Sequence, residues 1–598
     1  MRDIVDFLLF DWLRVDTLSQ HERFADHSTE TFSSVLDLCE RLAAAEFAPH
    51  NRLVDREEPR FDGGRVQLPR QTHDALRRYA ASGMLAATQD LEAGGMQLPF
   101  VVEMAASAFF YQASIGIANY AVLTTANANL LMAHGTPAQK AVFAARQLSG
   151  EWFGTMCLSE PQAGSSLSDI ATRAVPDGDG HEDDPLGPRY RVTGSKMWIS
   201  GGDHGITENI VHLVLAKVPG PDGRPGRTTK DIALFIVPKM RVDAQGRLTG
   251  ERNDVALAGL NHKLGHRGTT NCLLNFGDNA GCFGYRVGRE GQGLPTMFHM
   301  MNEARIRVGL GAAALGLAGY EASVTYARTR LQGRSAGSAG KHAGAAPVPI
   351  IEHTDVRRML LAQRACAYGA LALQLYCARL VDTRQTAAPD DARAAAGLLE
   401  LLTPIAKSWP SEWCLEANSL AIQVHGGYGY TRDFAVEQHW RDNRLNMIHE
   451  GTHGVQAMDL LGRKVRMDGG ETLRALLGRI AATVDRAGGI DGWAAHARQL
   501  AMAVQRLDQA TQACWQSGQV EHALRNAVPY LQAFGHVVLA WLWLDIIACL
   551  HGRDDAFADG NRYAMRWFFG HELPKALVWL DLVEAGDATC QQAPPDCF

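Results

Sequence analysis

Apolar and polar positions alternate in three distinct textures along the chain, and the textures change near residues 153, 287 and 467. Up to about residue 152 the pattern is helical. Asp74–Leu85 and Val101–His134 are rich in Ala, Leu and Met, with few β-branched runs. Glu92–Pro99 between them is punctuated by glycines and a proline and reads as a loop. From 153 the runs become short and β-rich: Asn209–Lys217, Asp231–Pro238 and Asn271–Phe276. Turn-rich stretches at Pro176–Pro188 and Pro219–Arg227 flank them. Strands without intervening helices predict a compact antiparallel sheet or barrel. After 287 helix returns, with Ile306, Leu310, Leu317 and Val324 on one face. Gly309, Gly311, Gly316 and Gly319 interrupt that helix, each costing about 1 kcal/mol against Ala at an exposed site. Their number predicts a close neighbour, a helix or a ligand. Gly333–Pro349 is a low-complexity excursion; helical pattern then runs from about Asp355 to about Leu420. Residues 467–598 are again helical, with turns at Gly488–Gly492 and Gly552–Gly560, and read as a docking or dimerisation domain. The expected domains are 1–152 helical, 153–286 β-barrel, 287–466 helical bundle and 467–598 extra helical.

Composition narrows the classes. The chain has 598 residues, 46% hydrophobic and 21% charged, so it is globular and long enough for several domains. A net charge of −7 disfavours a phosphate-backbone binder. Eleven scattered cysteines without metal-ligand spacing predict reduced thiols, a cytoplasmic protein and no metal site. The N-terminus resembles no signal or transit peptide, and the late apolar stretch His536–Leu550 is too short to span a bilayer. No membrane span is expected.

Three segments carry chemistry. Gly154–Asp169 (GTMCLSEPQAGSSLSD) ends in a turn whose Gly164, Ser165 and Ser166 offer closely spaced donors, suited to a phosphate or a heteroaromatic edge. In Gly194–Gly202 (GSKMWISGG), Trp198 and Ser200 share one face of a predicted strand, as a stacking platform beside a hydroxyl or as core. Gln423–Asp442 (QVHGGYGYTRDFAVEQHWRD) brings Gly426, Gly427 and Gly429 close to a backbone approach. Ile448–Gln456 (IHEGTHGVQ) then places Glu450 before Gly451 in a bend. Burial of a carboxylate there would raise its pKa and favour a general base.

Taken in order, CLSEPQAGS, KMWIS, HKLGHRGTT, GREGQGLPTMFHMMNEARI, YARTRLQGR, QVHGGYGY and IHEGTHGVQ resemble the acyl-CoA dehydrogenase family over roughly residues 70–465. Phrases such as GEWFGTMCLSEP and IIEHTDVRRML are similar to its C-terminally extended bacterial branch, which contains methylthiopropionyl-CoA dehydrogenase and related fatty acyl-CoA dehydrogenases. The resemblance implies a helical domain, a β-barrel and a four-helix bundle, plus an extra C-terminal helical domain. It implies FAD held by Met156, Leu158, Ser159, Gly164, Ser165, Trp198 and Ser200 on one side. Arg330, Gln332, Gln423, Gly426, Gly427, Thr452 and Gln456 would hold the rest. Ser165, Arg305, Glu450 and Gly451 would touch acyl-CoA. Glu450 matches the family's catalytic base. The family's alternative base position is Ala304, and the neighbouring Glu303 reads as an exposed or paired charge. Met156, Ser166 and His453 depart from the usual residues.

The implied reaction is α,β-desaturation of an acyl-CoA thioester, with electrons passed to an electron-transferring flavoprotein. Two alternatives stand beside it: an acyl-CoA oxidase using oxygen, and a nucleic-acid-binding flavoprotein relative. The second needs a basic C-terminal face, but from Arg466 onward 11 Lys and Arg face 15 Asp and Glu. In shorter relatives two dimers pair; the extension is expected to occupy that surface and leave a homodimer.

Overall fold

The computed structural model describes every residue except 221–222, 225, 227, 338–339 and 342–343. Parts of the Pro219–Arg227 loop and of the Gly333–Pro349 excursion therefore lie outside the described residues. Packing groups the chain into two compact units: Met1–Thr29, Phe100–Ala108 and Arg305–Phe598 in one, Glu30–Pro99 and Phe109–Ala304 in the other.

The second unit holds most of α1 (Thr29–Leu42), α2 (Arg70–Ala81) and most of α3 (Phe100–His134). Its sheet comprises β1 (Phe153–Cys157), β2 (Arg173–Pro176), β3 (Arg189–Ser200), β4 (Ile210–Lys217), β5 (Ile232–Pro238), β6 (Val255–Leu260), β7 (Asn271–Phe276) and β8 (Phe283–Val287). Strand order is β6-β7-β3-β8-β5-β4-β1, and β2 pairs with both β3 and β4. That double pairing closes β2, β3, β8, β5 and β4 into a barrel. Two pairs depart from the expected antiparallel pattern: β1 and β2 both run parallel to β4, Phe153 opposite Ile210 and Arg173 opposite Lys217. β4, apolar but for His212 and Lys217, and the all-apolar β5 are buried along their whole length, as strands covered on both faces must be.

The first unit is helical: α4 (Gly293–Thr329, shared with the second unit), α5 (Thr354–Thr386), α6 (Pro389–His425), α7 (Val436–Arg444) and α8 (His453–Gly462). The single helical run expected from 355 to 420 is two helices. The chain turns extended at Ala387 and Ala388, and Pro389 opens α6 at a position where its missing N–H costs nothing.

The glycines of α4 answer to α6. A Cβ on Gly309 would lie 2.0 Å from the Ala406 carbonyl oxygen, on Gly316 3.0 Å from Cys414 Cβ, and on Gly319 2.5 Å from Asn418 Nδ2. The neighbour is a helix, and the helix is itself unusual. Pro410 inside α6 has no N–H for the Ala406 carbonyl four residues back. Gln374 of α5 fills that vacancy, its Nε2 donating to Ala406 O at 2.8 Å.

Residues beyond 466 form α9 (Glu471–Gly488), α10 (Ala494–Trp515), α11 (Ala527–Cys549), α12 (Ala556–His571) and α13 (Leu573–Glu584). They share a core with the bundle. A Cβ on Gly535 would lie 2.5 Å from the Trp409 indole, and Trp543 Nε1 donates to Ala365 O at 3.1 Å. The late apolar helix is longer than its sequence suggested. Among the described residues α3 and α11 are long and apolar enough to cross a membrane, yet 89% of each apolar window is buried inside the protein. All eleven cysteines are free, seven of them buried.

Candidate functional site

In the barrel unit, Met156 lies near the end of β1, followed by Leu158 and Ser159. The chain then folds back on itself, Glu160 and Ala163 exchanging backbone hydrogen bonds of 2.9 and 3.1 Å. That turn leaves Gly164 and Ser165 exposed, with nothing within 4 Å of a Cβ built on Gly164. A buried ion pair holds the turn against β3. Lys196 Nζ lies 2.9 Å from Glu160 Oε1, with the side chains 0% and 3% exposed, and also donates to Leu158 O at 2.9 Å. Glu160 accepts from the backbone N–H groups of Ala171 and Thr172 at 2.6 and 3.0 Å. Burial works against the charge, yet the Lys196 cation and these hydrogen bonds hold the Glu160 carboxyl down to about 2.

Two residues beyond Lys196 the strand breaks its alternation. The β3–β7 register slips between Cys272 and Leu274, and Trp198 takes a left-handed φ of 67°. Such a bulge re-aims a side chain. Lys196 and Ile199 are both buried, whereas Trp198 is 60% exposed. The core reading of Trp198 is thereby excluded. The simple sharing of one face with Ser200 is also replaced: Ser200 is half-buried and its hydroxyl accepts from Asn271 Nδ2 at 3.3 Å. Glu303 is paired, accepting from Asn129 Nδ2 at 3.2 and 3.3 Å.

In the helical unit the expected residues fall in two clusters. Arg330, Gln332, Gly426 and Gly427 line a groove of about 460 Å³ with Tyr326, Tyr428 and Thr431. The Arg330 guanidinium sits 5.7 Å from the centre of the Tyr428 ring. Gly426 ends α6 with φ 60° and ψ −138°, a conformation almost confined to glycine, and no atom lies within 4 Å of a Cβ on Gly426 or Gly427. Gln423, one turn earlier on α6, is exposed but does not line this groove.

The second cluster surrounds Glu450. Its backbone is left-handed, φ 54°, followed by Gly451 at φ 92°. A non-glycine residue held there stores about 1–3 kcal/mol. The turn is held by Gln456 of α8, whose Nε2 donates to Glu450 O at 2.9 Å. Gly451 is required, since a Cβ would meet that amide at 2.6 Å. Thr452 stands at the N-cap position of α8, is exposed, and makes no side-chain capping hydrogen bond. Burial pushes the Glu450 carboxyl above its ordinary range, against the pull of Arg305 and Lys407. Arg305 is 5% exposed and lies 3.5 Å from Asp459 Oδ2. Lys407 of α6 is fully buried, and its Nζ has no hydrogen-bond partner among the described residues. Burial drags that ammonium down to about 7, although Glu450 pulls it upward. The cluster is a partly buried carboxylate poised to take a proton, beside two cations that stabilise its ionised form.

Residues 29–151 match the description "Acyl-CoA dehydrogenase, N-terminal domain", 291–465 match "Acyl-CoA dehydrogenase, C-terminal domain", and 476–594 match "Acetyl-CoA dehydrogenase C-terminal like". A 3-methylmercaptopropionyl-CoA dehydrogenase of Ruegeria pomeroyi is 36% identical over 90% of this chain and 89% of its own length. The chain belongs to the acyl-CoA dehydrogenase family. A broad-specificity linear acyl-CoA dehydrogenase of Mycobacterium tuberculosis is 34% identical over 82% of this chain and 78% of its own length. An acyl-CoA dehydrogenase of Bacillus anthracis, solved in complex with FAD, shares the fold at TM-score 0.73 and 18% identity, covering 97% of this chain and 94% of that one.

Within this acyl-CoA dehydrogenase chain, the sequence did not single out Lys407, the Lys196–Glu160 pair or Tyr428. A lysine inside the apolar run LLTPIAKSW was the available sign of the first. The groove gives a direct prediction. Gly426→Val forces a branched side chain into a glycine-only conformation and into the open groove. Cofactor retention should fall about tenfold or more, the equivalent of about 1.4 kcal/mol, with helix content unchanged. Flavin release on dilution, followed by fluorescence beside circular dichroism, measures both.

Proposed function

We propose that this protein desaturates an acyl-CoA thioester to the trans-2-enoyl-CoA with Glu450 as the base, and passes the electrons to an electron-transferring flavoprotein. One observation carries the reading: a strained, partly buried carboxylate flanked by Arg305 and by the fully buried Lys407, whose Nζ has no hydrogen-bond partner among the described residues.

The residues present fit FAD. Trp198 offers an uncovered indole, Gly164 and Ser165 an open turn, and Gly426 and Gly427 a cradle that any Cβ would fill. Met156, Leu158, Ser159, Gly164, Ser165, Trp198 and Ser200 would hold one part, and Arg330, Gln332, Gln423, Gly426, Gly427, Thr452 and Gln456 the rest. The Gln456 Oε1 is buried and without a partner among the described residues, as a group awaiting a ligand would be. Bound FAD supplies a two-electron acceptor for the hydride that leaves the β-carbon.

The chain's own part is the proton and its placement. The Glu450 carboxylate takes the α-proton. The Glu450 backbone N–H has no acceptor among the described residues, and it would donate to the thioester oxygen as that atom gains charge. Ser165, Arg305 and Gly451 would touch the acyl-CoA. Burial raises the base toward working pH, where a general base is most effective. The sign follows: the base must be ionised, so the rate rises with pH through the Glu450 pKa, which lies above the ordinary glutamate range.

The test is anaerobic titration with a panel of straight-chain acyl-CoAs and methylthiopropionyl-CoA, from acid to neutral pH. The purified protein should be yellow and bleach with its preferred acyl-CoA, less readily at low pH. No bleaching with any member would refute the reading. Rapid peroxide formation in air would assign an oxidase instead. A cytoplasmic homodimer is part of the same proposal. A tetramer by light scattering would overturn its assembly.

A further inference from the structure

A cavity of about 1190 Å³ opens in the barrel unit at the end where β1 and β4 begin, Phe153 opposite Ile210. The turn bearing Gly164 and Ser165 follows the other end of β1, a strand about 13 Å long from Phe153 to Cys157. No residue expected to hold FAD or acyl-CoA lines this cavity. Its wall is mixed. Val66, Leu76 and Met240 give it apolar surface, and Arg65, Arg77, Lys239 and Arg252 bring cations. A cleft of this kind suits a small organic molecule with a polar end.

His204 lines the cavity and is 2% exposed. Tyr120 of α3 and Phe153 hold its ring edge-on, with centroids 5.5 and 5.7 Å away and planes 85° and 75° apart. Its Nδ1 accepts from the Ile206 N–H at 3.2 Å, which puts the ring proton on Nε2. Burial, and after it the Lys239 charge, hold the imidazole well below the ordinary histidine range, so it is neutral in use. The Nε2–H has no acceptor among the described residues, and it opens on the cavity instead of being sealed in the core. Buried polar groups are normally paired, so a donor fixed in this way marks where an acceptor belongs.

The charges beside His204 do not cancel. Lys239 Nζ donates to Asp203 Oδ1 and to His204 O, the latter at 3.3 Å, and its third hydrogen has no acceptor among the described residues. Arg252 Nη2 lies 3.8 Å from Asp203 Oδ2. One buried carboxylate therefore faces two cations. Arg65, Arg77, Glu151 and Glu208 stand exposed at the rim, two of each sign, and leave that inner surplus in place. We infer that this cavity is a second binding site, for a small organic anion whose carboxylate or phosphate oxygen accepts from His204 Nε2–H and is neutralised by Lys239 and Arg252. The apolar wall takes the body of the molecule. An organic cation would meet the surplus charge, with Asp203 already engaged.

The test is calorimetric titration of the full-length holoenzyme with benzoate and with phenyl phosphate, two probes that share a body and differ in the anionic head. One-to-one binding of at least one is expected. Benzoate alone assigns a carboxylic acid, phenyl phosphate alone a phosphate ester, and both together the shared oxyanion. His204→Phe keeps a ring between Tyr120 and Phe153 but removes the donor, and should weaken binding about tenfold or more, as loss of a hydrogen bond to a charged group does. His204→Gln, which keeps an N–H donor, should lose less. The flavin spectrum and its bleaching by acyl-CoA should stay as in the parent, because the cavity shares no residue with that site. Failure of both probes to bind the parent, or parent-like affinity in His204→Phe, would overturn the inference. Should His204→Phe not fold by circular dichroism, Arg252→Gln decides in its place: a several-fold loss at unchanged helix content supports the site, and parent-like affinity overturns it.

Discussion

Glu450→Gln should lower substrate-dependent flavin reduction by about 10³- to 10⁴-fold while FAD and acyl-CoA still bind. The amide keeps the shape of the carboxylate and the left-handed turn, so the Gln456 hydrogen bond to residue 450 O survives. What disappears is the proton acceptor, and a positioned base contributes typically about 10²- to 10⁴-fold. The upper part of that range applies because the family's alternative position is Ala304, and Glu303 is tied to Asn129. The change also removes the negative charge that supports Lys407, so that buried ammonium gives up its proton more readily and the cluster loses little stability. Rapid-mixing measurements of the flavin band, with FAD content determined on the same sample, separate chemistry from binding. A variant that reduces its flavin at near the parent rate would leave the turn without its assigned role.

The second large effect concerns folding. Lys196→Met should destabilise the barrel unit by about 3–5 kcal/mol, the usual result of leaving one member of a buried ion pair uncompensated. Glu160 would remain 3% exposed, with the Ala171 and Thr172 N–H groups and the Gln162 amide, neutral donors all, against its charge. The double change to Lys196→Met and Glu160→Met should not restore stability, because it strands those two backbone donors. In the parent, Glu160 is held down to about 2 from an ordinary 4.5. Its depressed pKa therefore contributes stability that is complete above about pH 4.5 and lost as pH falls toward about 2. Urea unfolding followed by Trp fluorescence at neutral pH measures the loss. A Lys196→Met protein as resistant to urea as the parent would show that the pair is dispensable.

These residues mark the limit of what the sequence conveyed. The strands Asn209–Lys217 and Asn271–Phe276 were legible because alternation, β-branching and turn residues all agree there. The glycines of α4 announced a close neighbour, and the neighbour is α6. Trp198 was ambiguous because its exposure depends on a register slip between β3 and β7, a pairing 75 residues away that no local pattern encodes. Lys407 was not singled out in the sequence. Its significance comes from its burial beside Glu450 and Arg305, and so from tertiary packing alone. The division of the expected helix at Ala387 was visible in Pro389, yet a proline at the first turn neither demands nor forbids a break.

The notch between α4 and α6 restricts how this protein can move. Gly309 receives the Ala406 carbonyl, and Gln374 ties that same carbonyl to α5, so three helices are keyed at one point. Sliding any of them by one residue would drive a side chain into the keyed carbonyl and leave the amide without its acceptor. Shear between packed helices is a common means of domain closure, and here it is blocked. The three helices therefore act as a fixed frame for the segment from Gly426 to Thr452, which carries α7 and the turn bearing Glu450.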